Sequence, residues 1–208
     1  MHPNPAFHTA DNEMNLAYAR DRSFGVLAVT GPDGPLISHV PFLVSDDGTE
    51  VNLHLVRSNP IARFLKSPLS ARIAVAGPDS YISPDWYEIE DQVPTWNYVA
   101  VHLTGTLERR PQEELRVLIE AQSALFEERL LPKKPWATAK MQPEALQKMM
   151  RMIVPCRMQI DSINGTWKLN QNKPDQARLR AADFVDAYGI GQEVRILAGL
   201  MRGANGQG

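Results

Sequence analysis

The chain reads as α+β, with an antiparallel barrel or strongly curled sheet, and three observations predict it. Two turn signals in close succession, Gly31-Pro32-Asp33-Gly34 and Ser45-Asp46-Asp47-Gly48, separate β-rich runs at residues 24–30, 36–44 and 51–56. Strands dominate the first half while helical patterns are interspersed later, without the β-α alternation of a parallel sheet. A long run at residues 95–108 alternates strictly: Asn97, Val99, Val101, Leu103 and Leu107 share one mostly apolar face. The other carries Trp96, Tyr98, Ala100, His102 and Thr104. The apolar face is the expected barrel interior.

The remaining elements follow in order. Residues 9–22 predict a short helix, with Thr9 or Asp11 as cap and Met14, Ala17 and Tyr18 at helical spacing. Asn59-Pro60 opens another over 61–66, because an asparagine cap followed by proline satisfies the first turn. Residues 71–76 predict a fourth strand, and the strand at 95–108 is the fifth. Pro111 starts a helix to about Arg129, whose buried stripe is Leu115, Leu118, Ile119, Gln122 and Leu125 or Phe126. A helix at 143–152, a sixth strand at 154–163 and helices at 174–188 and 191–201 complete the chain. No repeat or long linker interrupts it, so residues 1–202 are expected to form one domain and the Gly-rich residues 203–208 a flexible tail.

Bulk composition narrows the function classes. The 208 residues carry 22 Lys plus Arg against 24 Asp plus Glu, a net charge of -2. That balance exerts no global pull on nucleic acid, so DNA binding would need a local basic patch. Lys168, Lys173, Arg178 and Arg180 make the best candidate, and a solvated helix face is the plainer account of them. A single cysteine, Cys156, rules out an internal disulfide and any CxxC motif, and its apolar neighbours predict a small buried hydrophobe. The five histidines lack metal-ligand spacing, and no GxGxxG, P-loop or GxSxG element occurs. The first residues do not form a basic stretch followed by an apolar one, and no apolar run reaches 18 residues, which predicts a cytoplasmic protein without a membrane partner.

Three polar clusters are candidate sites. Ser38 and His39 on the second strand face the segment Arg57-Ser58-Asn59 that leads into a helix start. Hydroxyl, imidazole, guanidinium and amide donors beside free helix N–H groups suit a phosphate, while a capped turn with a surface arginine is the plainer account. Trp96, Asn97 and Tyr98 close an aromatic stretch, residues 77–98, that holds two of the four tryptophans and three of the five tyrosines. Rings in a proline-punctuated connection either plug a core or line a pocket for a flat ligand. Lys168, Gln171 and Asn172 lie in Trp167-Lys168-Leu169-Asn170-Gln171-Asn172-Lys173, where amides can read a heterocycle edge and lysine can meet an anion. A polar loop with a helix cap at Asn172 is the alternative.

Taken in order, the segments SHVPF (38–42), HLVRSNP (54–60), GPDSYISPDWY (77–87), VPTWNYVAVH (93–102) and WKLNQNK (167–173) resemble the PaiB family of FMN-binding negative transcriptional regulators. The last departs from the family's KLSQN, with Asn170 in place of serine. The resemblance implies an antiparallel split β-barrel (an FMN-binding split barrel) with peripheral and C-terminal helices, and a homodimer with flavin sites between subunits. It further implies phosphate-proximal groups at Ser38, His39, Arg57, Ser58 and Asn59, flavin neighbours at Trp96, Asn97 and Tyr98, and a pocket closed by Lys168, Gln171 and Asn172. Two functions stay open: a repressor that meets DNA or a regulatory protein, and an FMN-dependent oxidoreductase acting on a small molecule.

Overall fold

A computed structural model describes residues 1–204, which divide into two compact units. One, the barrel unit, comprises Leu16–Ala74 and His102–Ile163. The other, the helical unit, comprises Met1–Asn15, Val75–Val101 and the chain from Asn164 on. Six strands form one antiparallel barrel closed in the order β1-β2-β3-β6-β5-β4: β1 (Phe24–Gly31), β2 (Gly34–Val44), β3 (Glu50–Val56), β4 (Leu69–Ile82), β5 (Thr95–Arg109) and β6 (Ile153–Lys168). The split-barrel class expected from sequence is therefore the observed one.

Local sequence sets the register. Gly31 pairs with Gly34 across a two-residue turn, and the ladder runs on through Val26 opposite His39. β3 pairs with β6, Leu53 opposite Cys156 and Val51 opposite Met158. Alternate residues point inward, so Leu27, Phe42, Leu53, Ile73, Leu103, Leu107 and Met158 fill the interior with almost no exposed surface. Emptying one such position costs about 2–5 kcal/mol. Gly105 is where β5 passes closest to β6: a Cβ there would sit 1.8 Å from the Gln159 carbonyl oxygen, so any side chain would push the strands apart.

Helices cover the outside of the barrel unit. Helix α1 (Asn12–Arg22) begins with the Asp11 carboxylate accepting from the Met14 N–H, and from Leu16 onward it belongs to this unit. Helix α2 (Pro60–Phe64) is capped by Asn59, as expected. Helix α3 (Leu115–Glu128) buries Leu115 and Gln122, and Gln122 Oε1 accepts from His54 Nδ1 at 2.9 Å while its Nε2 donates to the Pro41 carbonyl. Helix α4 (Pro143–Met150) completes the set.

In the helical unit the far half of β4 gains backbone partners from a distant segment. The Asp79 and Tyr81 N–H groups each donate at 3.0 Å, to the Gln192 and Ile190 carbonyls. That segment joins α5 (Asp175–Tyr188) to α6 (Val194–Gly203). The two helices pack through Ala177, Ala181, Ala182 and Val185 against Leu197, Ala198 and Met201, all buried. Arg178 locks the pair: its guanidinium donates to the carbonyls of Met201 and Arg202 at the C-terminal end of α6, where the helix carries partial negative charge. The sequence-based flexible tail begins at Gly203, which ends α6, and from residue 205 it lies outside the described residues.

Candidate functional site

The eleven predicted residues fall into two groups, one in each unit. In the barrel unit Ser38 and Asn59 are brought together: the Asn59 amide donates to Ser38 Oγ at 3.0 Å while its oxygen accepts from the Ile61 N–H at 2.9 Å. One side chain thus caps α2 and fixes a hydroxyl beside the free N–H groups of the first turn. His39 projects to the opposite side of β2, exposed and stacked on Phe24 at 6.4 Å between ring centroids. Ser58 is exposed in the turn after β3. Arg57 is more occupied than its sequence context suggests. Its Nε donates to the Arg151 carbonyl at 3.0 Å and its Nη2 to Gln112 Oε1 at 3.1 Å and the Ile153 carbonyl at 3.4 Å, leaving Nη1 for a ligand.

In the helical unit the aromatic stretch resolves into both a plug and a pocket wall. Tyr87 is 1% exposed and its hydroxyl donates to Asn170 Oδ1 at 3.1 Å; Trp86 stacks on Phe184 at 5.6 Å with an interplanar angle of 10°. Tyr87 is core, and the Trp86–Phe184 stack is half-buried packing. Trp96 is 47% exposed, edge-on to Tyr81, and with Tyr98 it borders a groove of about 300 Å³ whose other walls are Ala76, Gly77, Asp79, Val99 and Ala100. Small side chains flanked by two rings leave a flat slot. Asn97, on the inward face, is fully buried; its amide donates to Met201 Sδ at 3.6 Å and its Oδ1 has no partner.

The loop after β6 is built from its own amides. Gln171 accepts from the Leu169 N–H at 2.8 Å and donates to the Trp167 carbonyl at 2.5 Å, and Asn170 takes the left-handed conformation with φ of 64°. Lys168 donates to Thr95 Oγ1 and lies 5.7 Å over the Phe7 ring. Burial, and then the charge of Lys173, lowers its pKa from the ordinary lysine value. Asn172 is exposed, and α5 starts three residues later behind Pro174, so Asn172 does not cap it.

Sequence reasoning passed over Asn15 and Thr95, and named Asn170 and Lys173 without counting them as site residues. Asn15 accepts the Trp167 indole N–H at 2.9 Å, and a Cβ at Gly165 would lie 2.0 Å from its Oδ1. Nothing local in a helix sequence announces a partner 152 residues away. Asn170 was noticed only as a departure from serine, and the cue available was that asparagine tolerates positive φ.

A flavin fits this donor set. The slot at Trp96 and Tyr98, walled otherwise by small side chains, suits a planar ring. Residues 1–162 match the family model described as "Putative FMN-binding domain". The chain is 29% identical over 169 residues to "Protease synthase and sporulation protein PAI 2" of Bacillus subtilis (strain 168), covering 80% of each. It is also 39% identical over 83 residues to "Uncharacterized protein YKL070W" of Saccharomyces cerevisiae, covering 36% of this chain and 49% of that one. Among solved structures the FAD and heme binding protein of Mycobacterium smegmatis superposes with a TM-score of 0.57 at 15% identity, covering 88% of this chain and 80% of that one. A conserved hypothetical protein of Mycobacterium tuberculosis gives 0.54 at 16% identity over 80% and 91%. At such identities the structures speak to the fold. The class is a flavin-type split barrel, and the chain belongs to the PaiB-like FMN-binding family.

Proposed function

We propose that this FMN-binding split barrel acts through its flavin, on a small molecule or as a redox-dependent regulator, rather than by reading DNA with its own helices. One observation carries this choice. Three of the four arginines of the C-terminal helix pair are turned to internal partners, and only Arg195 stays exposed: Arg178 to the end of α6, Arg180 to Glu88 and the Tyr87 carbonyl, Arg202 to Asp183 and Asp186. A groove-reading helix needs those charges free for phosphates.

When bound, FMN supplies the hydride- or electron-transfer chemistry. The chain's part is to hold and orient it. Ser38, Ser58, Asn59 and the free Nη1 of Arg57 serve the phosphate, and His39, on the opposite side of β2, does not. Trp96 and Tyr98 flank the ring, Asn97 fixes the strand under it, and Lys168, Gln171 and Asn172 close the pocket. Because Trp96 is exposed and its slot open on one side, the reading includes a homodimer in which a second copy completes each site.

Purified protein is expected to show flavin absorbance, with FMN bound more tightly than riboflavin because only FMN carries the phosphate. Arg57→Ala should narrow that gap by about tenfold, the loss of one charge-assisted hydrogen bond. Trp96→Ala should shift the flavin spectrum; an identical spectrum removes Trp96 from the ring. The family's regulator role is favoured instead if a sequence-dependent gel shift persists at physiological salt without any protein partner.

A further inference from the structure

Two ammonium groups in the helical unit reach the same short stretch of chain, Lys168 at Thr95 and Lys173 at Gln92, and neither meets a carboxylate there. Lys168 and Lys173 are both half-buried, and among the described residues neither forms an ion pair. Lys168 donates to a neutral hydroxyl, Thr95 Oγ1, and Lys173 to a neutral amide, Gln92 Oε1. Each also lies over a ring face, Lys168 5.7 Å from the centroid of Phe7 and Lys173 5.2 Å from that of Tyr87. Charge within reach of Lys168 comes from Lys173, another cation. The buried Arg178 and the half-buried Arg180 of this unit, by contrast, each have an acid, Asp175 and Glu88.

A third donor completes the arrangement. Asn170 lies between the two lysines in sequence, is 2% exposed, and is held by the Tyr87 hydroxyl through its oxygen. Its Nδ2 has no partner. A buried amide N–H₂ left unpaired costs about 1–3 kcal/mol, and two like charges held near one another add to it. Ring faces moderate a cation but do not neutralise it. With three N–H donors on each ammonium and one used, donors outnumber protein acceptors throughout. An oxyanion is the ligand that such a set accepts.

We propose that Lys168, Lys173 and Asn170 bind the anionic group, carboxylate or phosphate, of a small molecule other than the flavin. For what that molecule then does, the inference rests on the flavin reading, since Lys168 belongs to the segment proposed to close the pocket; it makes the substrate class anionic. Binding of the anion itself does not depend on that reading.

Inorganic phosphate is the probe, titrated calorimetrically at constant ionic strength into protein freed of flavin. Saturable binding is expected, weakened about tenfold by Lys173→Met and abolished by Lys168→Met with Lys173→Met. Lys→Met keeps the apolar stem over the ring, and melting curves without phosphate check folding: Lys173→Met should melt no lower than the parent, because a repulsion has gone. In parallel, FMN and riboflavin affinities are compared in the parent and in Lys173→Met. An unchanged ratio is expected. Absence of saturable phosphate binding by the parent, or equal binding by the double variant, overturns the proposal. So does a selective loss of FMN against riboflavin, which assigns the ammonium to the flavin's own phosphate. Failure of the parent to bind either flavin sinks the flavin reading alone and leaves the phosphate titration to decide.

Discussion

Asn170 does two jobs that serine at the same place would do poorly. Its φ of 64° lies in the left-handed region, which asparagine visits more readily than most side chains, and its Oδ1 takes the Tyr87 hydroxyl at 3.1 Å. Burial pushes the Tyr87 phenol up to about 12, so that hydroxyl stays a donor through the working pH range. Asn170→Ser should cost about 1–2 kcal/mol in urea unfolding, because a buried hydroxyl loses its acceptor. Tyr87→Phe added to that variant should cost less than in the parent, and additive costs would show that the two are not coupled. Cys156 is the simpler case. Its burial was legible from the apolar run around it, and desolvation raises its thiol to about 12. Folded protein at pH 8 should resist alkylation, with labelling appearing only as the chain unfolds. The polar site residues were legible as types, not as geometries: that Arg57 spends donors on two carbonyls and Gln112 depends on backbone about 95 residues downstream, which no local pattern encodes.

Among elements, the same tripeptide was read once correctly and once not. Gly-Pro-Asp at 31–33 makes the β1–β2 turn, whereas Gly77-Pro78-Asp79 runs on inside β4, which extends to Ile82 instead of ending at 76. The difference is tertiary. Residues 190–192 return to accept the Asp79 and Tyr81 N–H groups, and an extended backbone pays only where such partners exist. β6 likewise continues past 163, through Gly165, to Lys168. Helix α3 was legible down to Gln122 in its buried stripe, and that residue has a consequence for pH. Burial lowers the pKa of His54 from 6.5, partly offset by its hydrogen bond to Gln122. A histidine kept neutral in the fold is protonated first in the unfolded chain, so stability is full above 6.5 and falls as pH drops from 6.5 towards the folded value. Urea midpoints should therefore decline between pH 7.5 and 5.5, and His54→Asn should flatten that decline. An unchanged slope would place the acid sensitivity elsewhere, for example at His102, also lowered by burial.

For the molecule as a whole, the barrel could be foreseen because period-two alternation and short turns are local, while its division of candidate ligands between two units could not. Ser38, His39, Arg57, Ser58 and Asn59 belong to one unit, and Trp96, Asn97, Tyr98, Lys168, Gln171 and Asn172 to the other. Strands β4, β5 and β6 each run through both units, so their unfolding shares backbone. A ligand of the folded chain stabilises it by mass action, about 2.7 kcal/mol at a hundredfold excess over its dissociation constant. For a chain of this size that corresponds to a rise in melting temperature of about 5–10 °C. FMN should therefore shift one common transition, seen equally by tryptophan fluorescence and far-ultraviolet circular dichroism. Two separate transitions, of which FMN moves only one, would show that the units unfold independently. If a second copy completes each site, the shift also grows with protein concentration at fixed excess of FMN, and a concentration-independent shift would mean that one chain suffices.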